Sequence, residues 1–105
     1  MKLFITTALL ALPISAQAQS LQSMEAATNL GSILASEQKC GLGYDQGAIG
    51  KWIEENTDPS DMGFASSLNM MTQGAGYNLQ GMSESATTAH CSSVKRTAKH
   101  YGFIE

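Results

Sequence analysis

Basic residues and long apolar runs are both scarce in this chain of 105 residues. Six Lys and Arg stand against nine Asp and Glu, which gives a formal net charge of -3. A protein that binds nucleic acid needs a basic face, so this composition argues against such a partner. After residue 14 no apolar run approaches the roughly 20 residues that cross a bilayer, so we expect no membrane span in the mature protein.

The chain also lacks the sequence patterns of common catalytic and phosphate-binding sites. Its serine pairs, in ASSL and CSSV, do not form the Gly-x-Ser-x-Gly turn of a hydrolase. The glycines of residues 41–50 are not followed by Lys-Ser or Lys-Thr, which excludes a phosphate loop. An acidic cluster at Glu54, Glu55, Asp58 and Asp61 lacks the alternating ligands of a calcium loop. We therefore predict a protein that is not an enzyme and has no cofactor.

The first residues, MKLFITTALLALPISAQAQS, have the pattern of a secretory signal peptide. Lys2 is followed by an apolar stretch and then by a small-x-small cleavage site at Ala16-Gln17-Ala18. The 12 residues from Leu3 to Ile14 are too few for a membrane-spanning helix. We predict a signal peptide over residues 1–18, a single domain over residues 19–105, and a periplasmic or secreted location.

Two cysteines remain after the predicted cleavage, Cys40 and Cys91, and they are 91 − 40 = 51 positions apart. An even number of cysteines in an exported protein indicates a disulfide, and two allow only one pairing. Redox enzymes place their cysteines in a close Cys-x-x-Cys, which is absent here. A zinc site would need both thiolates together with His90 and His100. We predict a structural Cys40–Cys91 disulfide and no metal site.

Helical signals dominate the predicted mature chain, and β-branched residues are sparse. Apolar residues at spacings of three and four predict a first helix over Ser20 to Lys39, with Gly31 weakening its middle. Asp45 is a candidate N-cap for a second helix, and Asp58 with Pro59 for a third. Ser83 opens a fourth, and Gly102 with Phe103 suits a Schellman-type end. The fold class is therefore predicted to be all-α, a small bundle of about four helices stapled by one disulfide.

The segment QGAGYNLQGM, residues 73–82, allows two interpretations. Its glycines, Gly74, Gly76 and Gly81, are compatible with a hinge or with a continuous, weakened helix. The methionines near it can fill a core or form an adaptable binding surface. We predict that this segment opens locally and binds a partner protein of the cell envelope. The predicted partner-binding residues are Met70, Met71, Tyr77, Leu79 and Met82.

An alternative is periplasmic Cu(I) handling, because soft thioethers and His90 can bind that ion. Its ligands would be Met70, Met71 and Met82 with His90. Met70 and Met71 point about 100° apart on a helix, so they do not form a ready chelating pair. Binding of a protein partner is therefore the preferred prediction, and the oligomeric state is left open.

Several stretches resemble a group of small, uncharacterised secreted two-cysteine proteins of Gram-negative bacteria. They are KCGLGYDQ, WIEEN, DMGFASSLNMMTQGAGY, GMSESATTAHC and the terminal YGFI. Some members are labelled "signal recognition particle", a role that would require a GTPase loop or a basic RNA-binding face, and neither is present. The chain is also similar in architecture to HdeA-type periplasmic acid chaperones. Neither resemblance supplies catalytic or binding residues.

Overall fold

The computed structural model describes the backbone of residues 14–105 and the side chains from residue 21 onward. It contains α1 (Ile14–Lys39), α2 (Gln46–Asn56), α3 (Phe64–Gln80) and α4 (Glu84–His100), with no strand over this range. The prediction of an all-α fold with four helices is confirmed. None of the helices described is long and apolar enough to cross a membrane.

The predicted signal peptide falls largely on residues 1–13, which lie outside the described residues. The backbone of residues 14–18, with the predicted cleavage site, forms the first turns of α1. This helix therefore begins six positions before the predicted start at Ser20 (20 − 14). The signal peptide and the boundary at residue 19 remain predictions.

Helices α3 and α4 both pack against α1, in opposite directions. Gly31 of α1 contacts Met71 and Thr72 of α3, and Cys40 shares a cavity wall with Met82. The residue numbers of the contacting pairs increase together along the two helices, so α3 is parallel to α1. Cys40 is bonded to Cys91, whereas Asn29 faces Thr97, so α4 is antiparallel to α1.

Gly31 allows a close contact between α1 and α3. A Cβ atom at this position would lie 2.9 Å from the Met71 Cβ and 3.0 Å from the Thr72 backbone nitrogen. Helix axes approach most closely where a side chain is missing, and any larger residue would push α3 outward. The glycine that weakens the predicted middle of α1 is thus explained by packing, and α1 is continuous through it.

The core lies between α1, the start of α2 and α3, and the end of α4. Its buried members are Ala26, Ala27, Leu30, Ile33, Tyr44, Ile49, Phe64, Ala98 and Phe103. Gly102 has φ +81°, and the Phe103 amide donates to the Ala98 carbonyl at 2.9 Å. This confirms the predicted Schellman-type end, which turns the Phe103 ring into the core.

Two of the predicted helix starts are confirmed. The Ala48 amide donates to Oδ1 of Asp45 at 3.1 Å, and the Ala86 amide donates to Oγ of Ser83 at 3.2 Å. Each contact satisfies one of the amides that a helix leaves unpaired in its first turn.

The predicted start of α3 at Asp58 and Pro59 is wrong. The helix begins at Phe64, with Gly63 as an N-cap that makes no side-chain hydrogen bond. Oδ1 of Asp58 instead accepts from the Ser60 amide at 2.8 Å and from the Ser60 hydroxyl at 2.7 Å. An Asp that bonds the backbone two residues ahead forms a turn, and this competes with its use as a helix cap.

The glycine-rich segment is a continuous helix. α3 passes through Gly74 and Gly76 and ends at Gln80, with Gly81 as its C-cap. The predicted Cys40–Cys91 disulfide is present. Cys40 lies in the turn directly after α1, not at the start of the second helix, so the disulfide joins the end of α1 to the middle of α4.

Candidate binding surfaces

The five predicted partner-binding residues do not form one surface. Met70 and Tyr77 are 69% and 77% exposed. Leu79 is buried, Met71 packs against the core, and Met82 is half-buried beside the disulfide. The reason is helical geometry: Met71 lies about 100° from Met70, and Leu79 about 200° from Tyr77. Only Met70 and Tyr77 of the five are thus exposed in this structure, and partner binding by a locally opened segment remains a prediction.

The methionines are divided between surface and interior. Met24, Met62 and Met70 are exposed, Met71 is packed on the core, and Met82 is intermediate. The four residues of the Cu(I) alternative have separate surroundings, since Met82 lines the cavity at the disulfide and His90 the groove between α1 and α4. Among the residues whose side chains are described, no group of three or more His, Cys, Asp or Glu could hold a metal ion.

An apolar groove lies where α2 ends and α3 begins, and we call it the α2–α3 groove. Its volume is about 400 Å³. It is lined by Ile53, Glu54, Thr57, Asp58, Pro59, Asp61, Met62, Phe64 and Ala65. Phe64 is buried in its floor, and Met62 stands at its edge with 89% of its surface exposed. Met62 precedes α3, which begins at Phe64.

Local hydrogen bonds hold the walls of the α2–α3 groove. The Thr57 amide and hydroxyl both donate to the Ile53 carbonyl, at 3.0 and 2.7 Å, and close the end of α2. The Asp58–Ser60 turn follows, and the Gly63 amide donates to Oδ1 of Asp61 at 3.1 Å. The connection between the helices is therefore held by its own side chains.

The charged side chains that line the α2–α3 groove are all carboxylates. They belong to Glu54, Asp58 and Asp61. The nearest lysine in sequence, Lys51, lies 4.0 Å from Glu55 on the exposed side of α2. Hydrogen bonds from the Ser60 hydroxyl and amide lower the pKa of Asp58 below its ordinary value of 3.8. The groove combines an apolar floor with a negative rim.

A serine–histidine pair that the sequence analysis did not identify lies at the α1–α4 contact. Oγ of Ser36 is 2.7 Å from Nε2 of His90 and 2.8 Å from the Ser32 carbonyl. The predicted disulfide could have indicated this contact. Ser36 lies one helical turn before Cys40 and His90 directly precedes Cys91, so a Cys40–Cys91 bond brings the two side chains near one another. Ser36 is fully buried within a helix whose amides are already bonded, so no oxyanion donors are directed at its hydroxyl. The pair is best understood as a polar contact between helices.

Comparison of the chain with protein-family models, curated proteins and solved structures gives no match. The resemblances described from the sequence therefore stay predictions. The chemistry of the described surfaces is the basis for a functional proposal.

Proposed function

We propose that this protein is a small exported helical protein of the periplasm that binds a partner protein and does not catalyse a reaction. It recognises a segment of an envelope protein in which apolar side chains are flanked by Lys or Arg. The observation that carries this proposal is the α2–α3 groove, whose apolar floor is surrounded by three carboxylates.

The apolar floor provides the attraction for the partner. Phe64, Ile53 and Met62 offer hydrocarbon and thioether surface that one or two leucine-sized side chains could cover. Burial of such a side chain stabilises a complex by about 1.5–3 kcal/mol. Met62 can change its rotamer at little cost and can therefore adapt to different apolar side chains.

The negative rim provides selectivity. Carboxylates at Glu54, Asp58 and Asp61 attract cations next to the apolar side chain and repel acidic segments. Hydrogen bonds from Ser60 lower the pKa of Asp58 and so favour its charged form. Complementary charge mainly raises the association rate and excludes wrong partners, so we expect binding that weakens with salt.

Export is supported by two separate features. The N-terminal sequence has the pattern of a signal peptide, and the Cys40–Cys91 disulfide suits an oxidising compartment. Mass spectrometry of the protein from the native envelope should give an N-terminus at Gln19.

The groove is tested by calorimetric titration with a short peptide of leucines flanked by lysines. We expect Glu54→Gln combined with Asp61→Asn to weaken binding by about tenfold, since each rim charge contributes up to about 1 kcal/mol. Glu55→Gln is the matched control because Glu55 is on the same helix, carries the same charge and does not line the groove. A peptide with glutamates in place of the lysines should not bind.

Two results would contradict the proposal. One is equal loss of affinity in Glu55→Gln and Glu54→Gln, which would indicate attraction by net charge alone. The other is unchanged affinity both in Met62→Ala and in the variant that combines Glu54→Gln with Asp61→Asn. That result would show that the peptide binds outside the groove.

A further inference from the structure

Met62 is the most exposed methionine among the residues whose side chains are described. It is 89% exposed, compared with 69% for Met70 and 53% for Met24. Met71 packs against the core, and Met82 is half-buried. A peroxide converts a methionine thioether into a sulfoxide only where it can reach the sulfur, so exposure decides which methionine reacts first. Met62 is therefore the most accessible target for such an oxidant.

The carboxylates around Met62 also favour its oxidation. Met62 lines the α2–α3 groove together with Glu54, Asp58 and Asp61. When a thioether attacks a peroxide, the sulfur gives up electron density and becomes partly positive in the transition state, which nearby negative charge stabilises. Met70 lies on α3, a helix that contains no Asp or Glu, so its own helix provides no such charge. The two methionines therefore differ in electrostatic surroundings as well as in exposure.

The hydrogen-bond donors next to Met62 are already in use. The Ser60 amide and hydroxyl both donate to Oδ1 of Asp58, and the Gly63 amide donates to Oδ1 of Asp61. The carboxylates themselves only accept hydrogen bonds when ionised, and a sulfoxide oxygen is also an acceptor. A sulfoxide at Met62 would therefore bond to water. An apolar side chain that covered it would remove this water without replacing its hydrogen bonds, which is unfavourable.

We propose that Met62 is a site of oxidative modification, and that its conversion to the sulfoxide weakens binding in the α2–α3 groove. The second part rests on the proposed function of that groove. With hydrogen peroxide as oxidant, an S–O bond forms as the O–O bond breaks, and the sulfur loses the two electrons that the peroxide gains. The proton of the transferred oxygen passes to the departing oxygen, which leaves as water. Because Met62 is so exposed, we expect its oxidation to leave the fold intact.

Limited treatment with hydrogen peroxide tests the order of oxidation. Chymotryptic cleavage after Phe64 and Leu68 separates Met62 from Met70, so mass spectrometry of the peptides gives the rate at each methionine. We expect Met62 to be oxidised about twofold faster than Met70 or more, since exposure and surface charge each have modest effects. The melting temperature should not change while Met62 alone is oxidised. Equal rates at the two methionines would overturn the assignment of Met62.

Variants at the rim of the groove test the electrostatic part of the proposal. Glu54→Gln combined with Asp61→Asn should lower the rate at Met62 relative to the rate at Met70, which is an internal reference in the same molecule. Glu55→Gln is the matched control, because it removes a carboxylate from α2 outside the groove and should leave this ratio unchanged. An unchanged ratio in the double variant would overturn the role given to the carboxylates.

Calorimetric titration with the leucine–lysine peptide, before and after oxidation, tests the effect on binding. Oxidation of the parent protein should weaken binding by about tenfold, because the sulfoxide must lose water when the peptide covers it. The affinity of Met62→Leu, whatever its starting value, should not change on the same treatment. The affinity of Met70→Leu should fall as in the parent. Undiminished affinity in protein that is fully oxidised at Met62 would overturn the proposed effect on binding.

The two readouts distinguish this proposal from the proposed function. If the untreated protein does not bind the peptide, the proposed function is wrong, and the effect of oxidation on binding is wrong with it. Faster oxidation at Met62 than at Met70 would still support Met62 as the modification site. If the untreated protein binds and oxidation at Met62 changes nothing, only the present proposal is overturned.

Discussion

At the scale of single residues, Tyr44 shows how one side chain joins a loop to a helix. Its hydroxyl donates to the Ile33 carbonyl at 2.8 Å, and its amide donates to Oε2 of Glu37 at 2.7 Å. The ring is buried 5.8 Å from that of Phe103. Burial, and secondarily the negative charge of Glu37, raise the pKa of Tyr44 to about 12. The phenol is therefore held in its neutral, donating form.

This raised pKa predicts a specific loss of stability in alkali. A group that binds its proton more tightly when folded contributes stability that is complete below its unfolded pKa, 10.0, and is lost as pH rises through about 12. Thermal melts across this range should show a decline that is smaller in Tyr44→Phe. That variant should also lose about 1 kcal/mol at neutral pH with its hydrogen bond.

Tyr77→Phe is the control for Tyr44→Phe, since Tyr77 is exposed and makes no described side-chain hydrogen bond. It should leave both the neutral stability and the alkaline decline unchanged. Equal alkaline declines in the parent protein and in Tyr44→Phe would show that the Tyr44 proton is not linked to folding.

At the scale of helices, the N-cap of α4 makes a measurable contribution to stability. Ser83 has extended backbone angles, and its hydroxyl accepts from the Ala86 amide. We expect Ser83→Ala to lower the free energy of unfolding by about 1 kcal/mol, as loss of a helix cap commonly does. Urea denaturation of the parent and the variant measures this difference.

Ser85→Ala is the matched control, because Ser85 is exposed two residues further on, inside α4. Alanine has the higher helix propensity, so this variant should be as stable as the parent protein or slightly more stable. If the two variants lose stability equally, the Ser83 hydroxyl does not act as a cap.

The start or end of a helix could be predicted wherever the capping residue had only one nearby backbone group to bond. Asp45, Ser83 and Gly102 satisfy nearby backbone groups, so their sequence patterns were sufficient. Asp58 had two possible partners, and Ser60 is the one that it binds, which moved the start of α3. The choice between cap and turn depends on where Phe64 becomes buried, and that is decided by contacts distant in sequence.

The candidate surfaces were harder to predict from sequence, because they too depend on contacts between residues distant in sequence. Methionine spacing could not distinguish Met70, which is exposed, from Met71, which packs against α1 near Gly31. The α2–α3 groove combines residues from two helices and the turn between them, and the periodicity of either helix does not reveal it. Its acidic residues were identified from sequence, but only as a cluster without the ligand pattern of a calcium loop.

At the scale of the whole molecule, the disulfide fixes α4 against α1. It closes a separation of 51 residues, for which the chain-entropy estimate is about 4 kcal/mol. We expect reduction, or Cys40→Ser with Cys91→Ser, to lower the melting temperature by tens of degrees, since a domain of this size is only marginally stable. Differential scanning calorimetry with and without reductant measures this shift.

The double serine variant in the presence of reductant is the control for the reduction experiment. Because it has no disulfide to lose, reductant should not change its melting temperature. A reduced parent protein as stable as the oxidised one would contradict the proposed contribution of the disulfide. Free thiols in protein taken from the native envelope would contradict the disulfide itself.

The position of Phe103 in the core sets a time order for folding. Its ring is 1% exposed, and its carbonyl accepts from the Asp45 amide at 2.8 Å, although 103 − 45 = 58 positions separate the two residues. While the chain is being synthesised, α1, α2 and α3 can all be present and still lack the group that closes their shared core. We therefore expect the shared core to close only after residue 103 has been synthesised.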